Sequence, residues 1–169
     1  MEQSPSFSEI DLGQIKLLVC DIDGVLTDGS LYYGPRGEVS KKFNVKDGLG
    51  LKRLMAAGIQ VAWISSSEAV ATVHRAEDLG ISHVLIGVTD KVAQLKGLSQ
   101  KLDIDVADIA YMGDDLVDLD VMRLVGIPIA VANAVPEVLA CAQLITEKNG
   151  GDGAVREICD QILREQLNE

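Results

Sequence analysis

Two carboxylates one residue apart, Asp21 and Asp23, stand where an apolar run from Ile15 to Cys20, with Lys16 as its one charge, gives way to Gly24. Three further groups follow comparable runs. Ser65-Ser66-Ser67 comes after Ile59 to Ile64, Lys91 comes after Asp90, and Asp114, Asp115 and Asp118 come after Ile109 to Gly113. A carboxylate at such a point can be a nucleophile, a metal ligand or both, and a hydroxyl with a lysine can face an anion. An anion approaching a carboxylate is repelled, by about 4 kcal/mol per unit charge pair at ~4 Å and an effective dielectric of ~20. A hard divalent cation offsets that, and Mg²⁺ prefers one or two carboxylates together with waters and substrate oxygens. Each group alone also has an ordinary reading. Asp-x-Asp is a solvated turn, Ser65 a helix-entry residue, Lys91 a surface lysine and Asp118 an exposed acid near a helix N-terminus.

The positioning elements are legible. The Ile15–Cys20 run reads as a buried strand, and Asp21-Ile22-Asp23-Gly24 as the loop leaving its carboxyl end, where open α/β sheets place ligands. Leu31-Tyr32-Tyr33, Gly34-Pro35-Arg36-Gly37 and Glu38 to Phe43 predict a hairpin. A helix is expected from Asp47 to Ala57, then a strand, Ile59–Ile64, a helix, Glu68–Leu79, and a strand, His83–Ile86. Asp90 caps a helix to about Leu102, a strand covers Ile109–Met112, and another helix reaches Val125. A strand at Ile127–Ala132, a turn at Pro136 capped by Asn133, a strand at Gln143–Thr146 and a helix at Ala154–Leu167 complete the alternation, with Gly150-Gly151-Asp152-Gly153 as a flexible joint. The expected fold is α/β, a Rossmann-like doubly wound parallel sheet with a β-hairpin insertion after the first strand and no cap domain. Residues 1–14 read as a loose tail and 15–169 as a single domain.

The 169 residues suffice for one domain burying roughly 70% of its unfolded surface. A net charge of −11 argues against nucleic acid or an anionic membrane as partner. No run approaches a membrane span, and residues 1–14 lack a signal pattern. Cys20, Cys141 and Cys159 show no CxxC spacing and read as free thiols of a cytoplasmic protein. His74 and His83 share no metal spacing, and Trp63 reads as core. Phosphate-loop, dinucleotide-loop and EF-hand patterns are absent.

Asp21-Ile22-Asp23-Gly24-Val25-Leu26-Thr27-Asp28-Gly29, followed in order by Ser65, Lys91 and the Asp114–Asp118 cluster, resembles the four motifs of the haloacid dehalogenase superfamily of phosphohydrolases, over about Lys16 to Asp160. The resemblance implies Mg²⁺ bound by Asp21, the backbone carbonyl of Asp23, and Asp114. It implies attack on phosphorus by Asp21, with Asp23 protonating the leaving alkoxide and then activating water. Ser65 would donate to a phosphoryl oxygen, Lys91 would neutralise charge, and Asp115 and Asp118 would hold metal waters or orient the ligands. A non-enzymatic phospho-aspartyl switch uses similar groups, but with an acidic pair after its first strand and the acceptor Asp after a middle one, whereas here Ser65 follows the second strand and the acidic cluster comes late.

The longer first motif, Lys41-Lys42-Phe43-Asn44-Val45-Lys46-Asp47-Gly48 and Gly150 to Glu157 resemble the branch acting on 3-deoxy-D-manno-octulosonate 8-phosphate. That branch implies a homotetramer whose hairpins pack together and whose active sites are completed by neighbouring subunits. It makes Lys41, Lys42, Asn44, Asp47, Ser66, Ser67 and Arg156 candidates for binding an acidic sugar phosphate, with Lys46 a further cation in reach. Two departures stand out. The branch reads Thr-Gly-Arg where this chain has Ser65-Ser66-Ser67, and Arg where it has Asp152. A nonulosonate 9-phosphate of the sialic-acid type, or another sugar phosphate, is the alternative substrate.

Overall fold

The computed structural model describes residues 10–167. From β1 (Leu17–Cys20) the chain runs through a hairpin of two-residue strands, β2 (Tyr32–Tyr33) and β3 (Val39–Ser40), into α1 (Val45–Ala56) and β4 (Gln60–Ile64). Next come α2 (Val70–Leu79), β5 (His83–Leu85), α3 (Lys91–Leu102), β6 (Ile109–Gly113) and the short α4 (Leu119–Met122). The chain continues through β7 (Ile127–Ala130), α5 (Pro136–Cys141) and β8 (Leu144–Ile145) to α6 (Ala154–Leu167). Every residue of β1 and β6 is buried, so both faces of each strand must be covered, as parallel sheets with crossover helices require.

Six parallel strands form one sheet in the order β5-β4-β1-β6-β7-β8. The chain leaves β1 toward β4 and β5, then returns to β1's other side with β6. The strand order therefore reverses between β1 and β6, and their carboxyl ends open a crevice. Cys20 at the end of β1 faces Trp63 of β4 and Met112 of β6 in register. Asp21, Ser65 and Asp114 thus leave the sheet at nearly the same level. Local chemistry sets the helix starts: the side chain of Asn44 accepts the Lys46 N–H at 2.8 Å and that of Asp90 accepts the Ala93 N–H at 2.9 Å. The doubly wound parallel sheet, the hairpin and the buried, free Cys20 and Cys159 are as the sequence predicts.

Several expectations change. Residues 1–9 lie outside the described residues, but the stretch read as a tail is not loose throughout. Leu12 is in the core, and its N–H donates to a Glu165 carboxylate oxygen at 2.6 Å. The helix expected to reach Val125 is a 3₁₀ turn at Leu116–Asp118 plus α4, because Gly126 N–H must bond the Val106 carbonyl to start β7. Asn133 caps nothing at Pro136; its side chain accepts the Gly150 N–H at 3.0 Å. Nor is Gly150–Gly153 a loose joint. Gly150 and Gly151 are buried, Gly151 N–H bonds the Val25 carbonyl at 2.9 Å, and a Cβ on Gly150 would collide with the Gly24 carbonyl. The segment is a wedge against the acidic loop.

Candidate active site

The loop after β1 is wound tightly. The N–H groups of Val25, Leu26 and Thr27 converge on the Ile22 carbonyl, and the buried Thr27 hydroxyl accepts from Gly24 and Gly29 N–H at 3.3 and 3.2 Å. Gly24 has φ +91°, and a Cβ there would strike the Asp114 carboxylate. The missing side chain is what lets the carboxylates from β1 and β6 come together.

Asp21, 5% exposed, pairs with the Lys91 ammonium at 3.0 Å. Lys91 also donates to Asp118 Oδ1 at 2.8 Å and to the Tyr111 hydroxyl at 3.3 Å, and Tyr111 donates to Asp118 Oδ1 at 2.7 Å. Asp118 Oδ2 takes the N–H groups of Asp114 and Asp115 at 3.0 and 3.3 Å. Asp118 is therefore a buried hub, not the exposed helix-entry acid that its sequence position equally allowed. Tyr111 has no counterpart in the sequence reading, because a tyrosine inside an apolar strand looks like core.

On the other flank, Lys41 donates to Asp23 Oδ2 at 2.9 Å and to Ser67 Oγ at 3.3 Å, and stands 2.8 Å from Asp23 Oδ1. Asp21, Asp23, Ser65, Ser66, Ser67, Lys91, Asp114 and Asp115 all line one cavity of about 150 Å³.

Four carboxylates, Asp21, Asp23, Asp114 and Asp118, share the site with two ammonium groups, Lys41 and Lys91. Burial, then the neighbouring Asp118 charge, pushes the Asp21 carboxyl up to about 6 against the pull of Lys91. Burial and the Asp21, Asp118 and Asp115 charges push Asp114 up to about 8. Burial pulls Lys91 down, yet Asp21 and Asp118 outweigh it and leave the ammonium firmer than usual. Burial and Asp118 likewise keep the Tyr111 phenol protonated. Asp21, Asp114 and Asp118 each bring an oxygen within 4.8 Å of the others, and Asp114 Oδ1 is buried with no donor. Both oxygens of Asp118 are engaged, so Asp21 and Asp114 are the side chains free to hold a hard divalent cation. The uncompensated charge fits one.

The remaining sequence candidates fall elsewhere. Asp47 is buried and accepts the Arg156 N–H at 2.9 Å, so it caps the start of α6 from α1. Asn44 donates to the Gly151 carbonyl at 3.3 Å. Arg156 is spent on Asp160 at 2.8 Å and on the Lys46 carbonyl. Lys42 is exposed and pairs loosely with Asp28 at 3.4 Å. Within one chain these four fasten the C-terminal segment and hairpin base and do not line the cavity. Asp115 is exposed at its mouth, and its side chain accepts the Leu116 N–H.

Residues 79–158 match the model of the haloacid dehalogenase-like hydrolases. The chain is 45% identical over 152 residues to 3-deoxy-D-manno-octulosonate 8-phosphate phosphatase of Yersinia pestis, covering 90% of this chain and 81% of that protein. It superposes with a TM-score of 0.90 and 44% identity on that phosphatase from Moraxella catarrhalis, solved with a magnesium ion, a phosphate ion and a KDO molecule, covering 94% of this chain and 91% of the other. The cobalt-bound form from Haemophilus influenzae gives a TM-score of 0.90 at 40% identity, covering 94% and 92%.

Proposed function

Since the chain belongs to the haloacid dehalogenase-like hydrolases, within the branch of 3-deoxy-D-manno-octulosonate 8-phosphate phosphatases, we propose that it is a Mg²⁺-dependent phosphomonoesterase whose substrate is 3-deoxy-D-manno-octulosonate 8-phosphate. The observation that carries this reading is the meeting of Asp21 and Asp114 at the strand-order reversal, with Lys91 on one side and Asp23 on the other. Mg²⁺ held by Asp21 and Asp114 supplies the positive charge that lets a phosphate dianion approach a carboxylate.

Lys91 keeps Asp21 ionised and aimed, and Asp21 attacks phosphorus. The leaving alkoxide takes a proton from Asp23, which then draws a proton from the water that hydrolyses the aspartyl phosphate. Ser65, 1% exposed at the end of β4, lines the same cavity, and in this reading its hydroxyl donates to a phosphoryl oxygen. Asp118 and Tyr111 fix Lys91, while Asp118 also fixes the backbone that carries Asp114.

A second cavity, about 420 Å³, meets the first at Ser67 and gives the leaving group room. Its walls include Glu38 and Glu68 and no lysine or arginine. With Ser67 and Asp152 where the branch carries Arg, this favours a second reading, in which a nonulosonate 9-phosphate or a neutral sugar phosphate is taken as readily.

Assembly bears on the same point. Leu31, Tyr32 and Tyr33 are exposed on the hairpin, apolar surface that a two-stranded ribbon does not leave in water. We read it as the contact of a homotetramer in which a neighbour covers the site, working in the cytoplasm. Phosphate release from a panel of sugar phosphates, after chelation and after Mg²⁺ is restored, tests the reading. Strict Mg²⁺ dependence and a preference for the octulosonate ester are expected. Full activity after exhaustive chelation sinks the mechanism, and light scattering that finds an active monomer sinks the assembly. If Ser67 weakens carboxylate recognition, Ser67→Arg raises the octulosonate preference by roughly 10- to 150-fold in kcat/KM, the worth of one charge-assisted pair.

A further inference from the structure

Lys41 leaves the hairpin just after β3 and is the only side chain among the described residues that bonds the Asp23 carboxylate. Its own side chain is wholly buried, whereas that of Asp23 is 31% exposed toward the cavity. An ammonium has three N–H groups and no acceptor. Here it donates to Asp23 Oδ2 and the Ser67 hydroxyl and lies beside Asp23 Oδ1 as an ion pair, and its wholly buried side chain presents no surface to solvent. This removes Lys41 from the cations that could read a sugar acid and gives it another task.

We propose that Lys41 is a positioning residue for Asp23, holding in one rotamer the carboxyl that protonates the leaving group. The proposal rests on the acid–base reading of Asp23 given above. The anchor is stiff at both ends. Two residues on, Phe43 stacks on the buried Trp63 with ring centroids 6.3 Å apart and planes 7° from parallel. Ser67 Oγ, which accepts from Lys41, also accepts the Ala69 N–H at 3.2 Å and so belongs to the loop leaving β4. Asp23 is thus triangulated between the hairpin base and the β4 loop. Without the ammonium it is free to populate its other staggered rotamers, and a proton donor out of reach of the leaving oxygen contributes nothing.

A positioning role has a signature that simple loss of structure lacks. An alkoxide needs a proton to leave, whereas nitrophenolate does not, so only the alkyl ester senses the acid. The experiment measures kcat/KM for the best alkyl monoester of the sugar-phosphate panel and for p-nitrophenyl phosphate, in wild type, Lys41→Met, Lys41→Gln and Asp23→Asn. Because both esters are assayed on one preparation, their ratio does not depend on how much of it is folded. Lys41→Met is expected to lower the alkyl ester about 30-fold and the nitrophenyl ester less than about threefold, and Lys41→Gln, which keeps one N–H for Asp23, to recover part of the difference. Equal falls for both esters in Lys41→Met, or no fall, with the signature intact in Asp23→Asn, overturn the role of Lys41 alone. Absence of the signature in Asp23→Asn overturns the acid–base reading and this proposal with it.

Discussion

Asp118→Asn changes one atom in a place that accepts only a carboxylate. All four partners of Asp118 are arranged as donors: Lys91 and Tyr111 on Oδ1, and the N–H groups of Asp114 and Asp115 on Oδ2. An amide has one oxygen. Whichever way it is turned, its NH₂ meets two donors, and only the Tyr111 hydroxyl can rotate to accept. The residue has 0% exposure, so water does not step in. Losing the two bonds on one side, at about 1.5–3 kcal/mol for each charge-assisted bond, costs roughly 3–5 kcal/mol in all, the range also expected for breaking a buried ion pair. At about 2–4 °C per kcal/mol for a chain of this length, Tm should fall by around 10 °C. Lys91 and the Asp114 backbone lose their common anchor, so kcat should fall by about 10- to 100-fold even where the protein is folded. Thermal denaturation followed by circular dichroism, with kcat measured well below the transition, gives both numbers. A Tm within about 2 °C of wild type would refute the account of Asp118 as an acceptor-only hub.

Three other outcomes are expected. Asp21→Asn should stay folded and lose at least about 10³-fold in kcat, because an amide cannot attack phosphorus; retained turnover in the purified protein contradicts the assigned nucleophile. Metal-free protein should grow less stable as pH rises. The Asp21 and Asp114 carboxyls titrate at about 6 and about 8 when folded, so their contribution is whole below the unfolded value near 3.9 and is lost as pH rises through those two values. Melting curves between about pH 5 and 9 should show a fall that Mg²⁺ and Asp114→Asn each flatten, and a metal-free Tm that rises across that window would contradict it. Gly24→Ala should weaken Mg²⁺ affinity, read by titration calorimetry, since the new methyl displaces Asp114; unchanged affinity would show that the close approach is not needed.

What the sequence disclosed and what it hid divide along physical lines. Asp21, Ser65, Lys91 and Asp114 were legible because each follows an apolar run or a helix cap, and the sheet then delivers strand ends to one edge whatever the side-chain detail. Lys41 was legible as a cation but not as a buried one, since Lys41-Lys42 looks like a solvated pair until Asp23 is placed beside it. Tyr111 was invisible, because its hydroxyl matters only through Asp118, seven residues on and across a turn. Asp47 became a substrate candidate through the resemblance of the Lys41–Gly48 stretch to the octulosonate-phosphatase branch. Within one chain its partner is the Arg156 N–H, more than a hundred residues away, and no local pattern encodes such a cap. Leu12 was lost for the same reason, its polar neighbours outweighing the one residue that reaches the core.

The position of β1 also sets a schedule. β1 leaves the ribosome before β4 and β6, yet ends between them near the centre of the sheet. Leu17 must wait for Gln60 and then for Ile109, and both pairings close long loops before they are rewarded. Until β6 arrives, Asp21 has neither Asp114 beside it nor Asp118 behind Lys91. A nascent chain that stops short of Ile109 therefore holds β1 with one edge unpaired and Asp21 without Asp114 beside it. Activity in this architecture arrives all at once and late, when the two halves of the sheet meet.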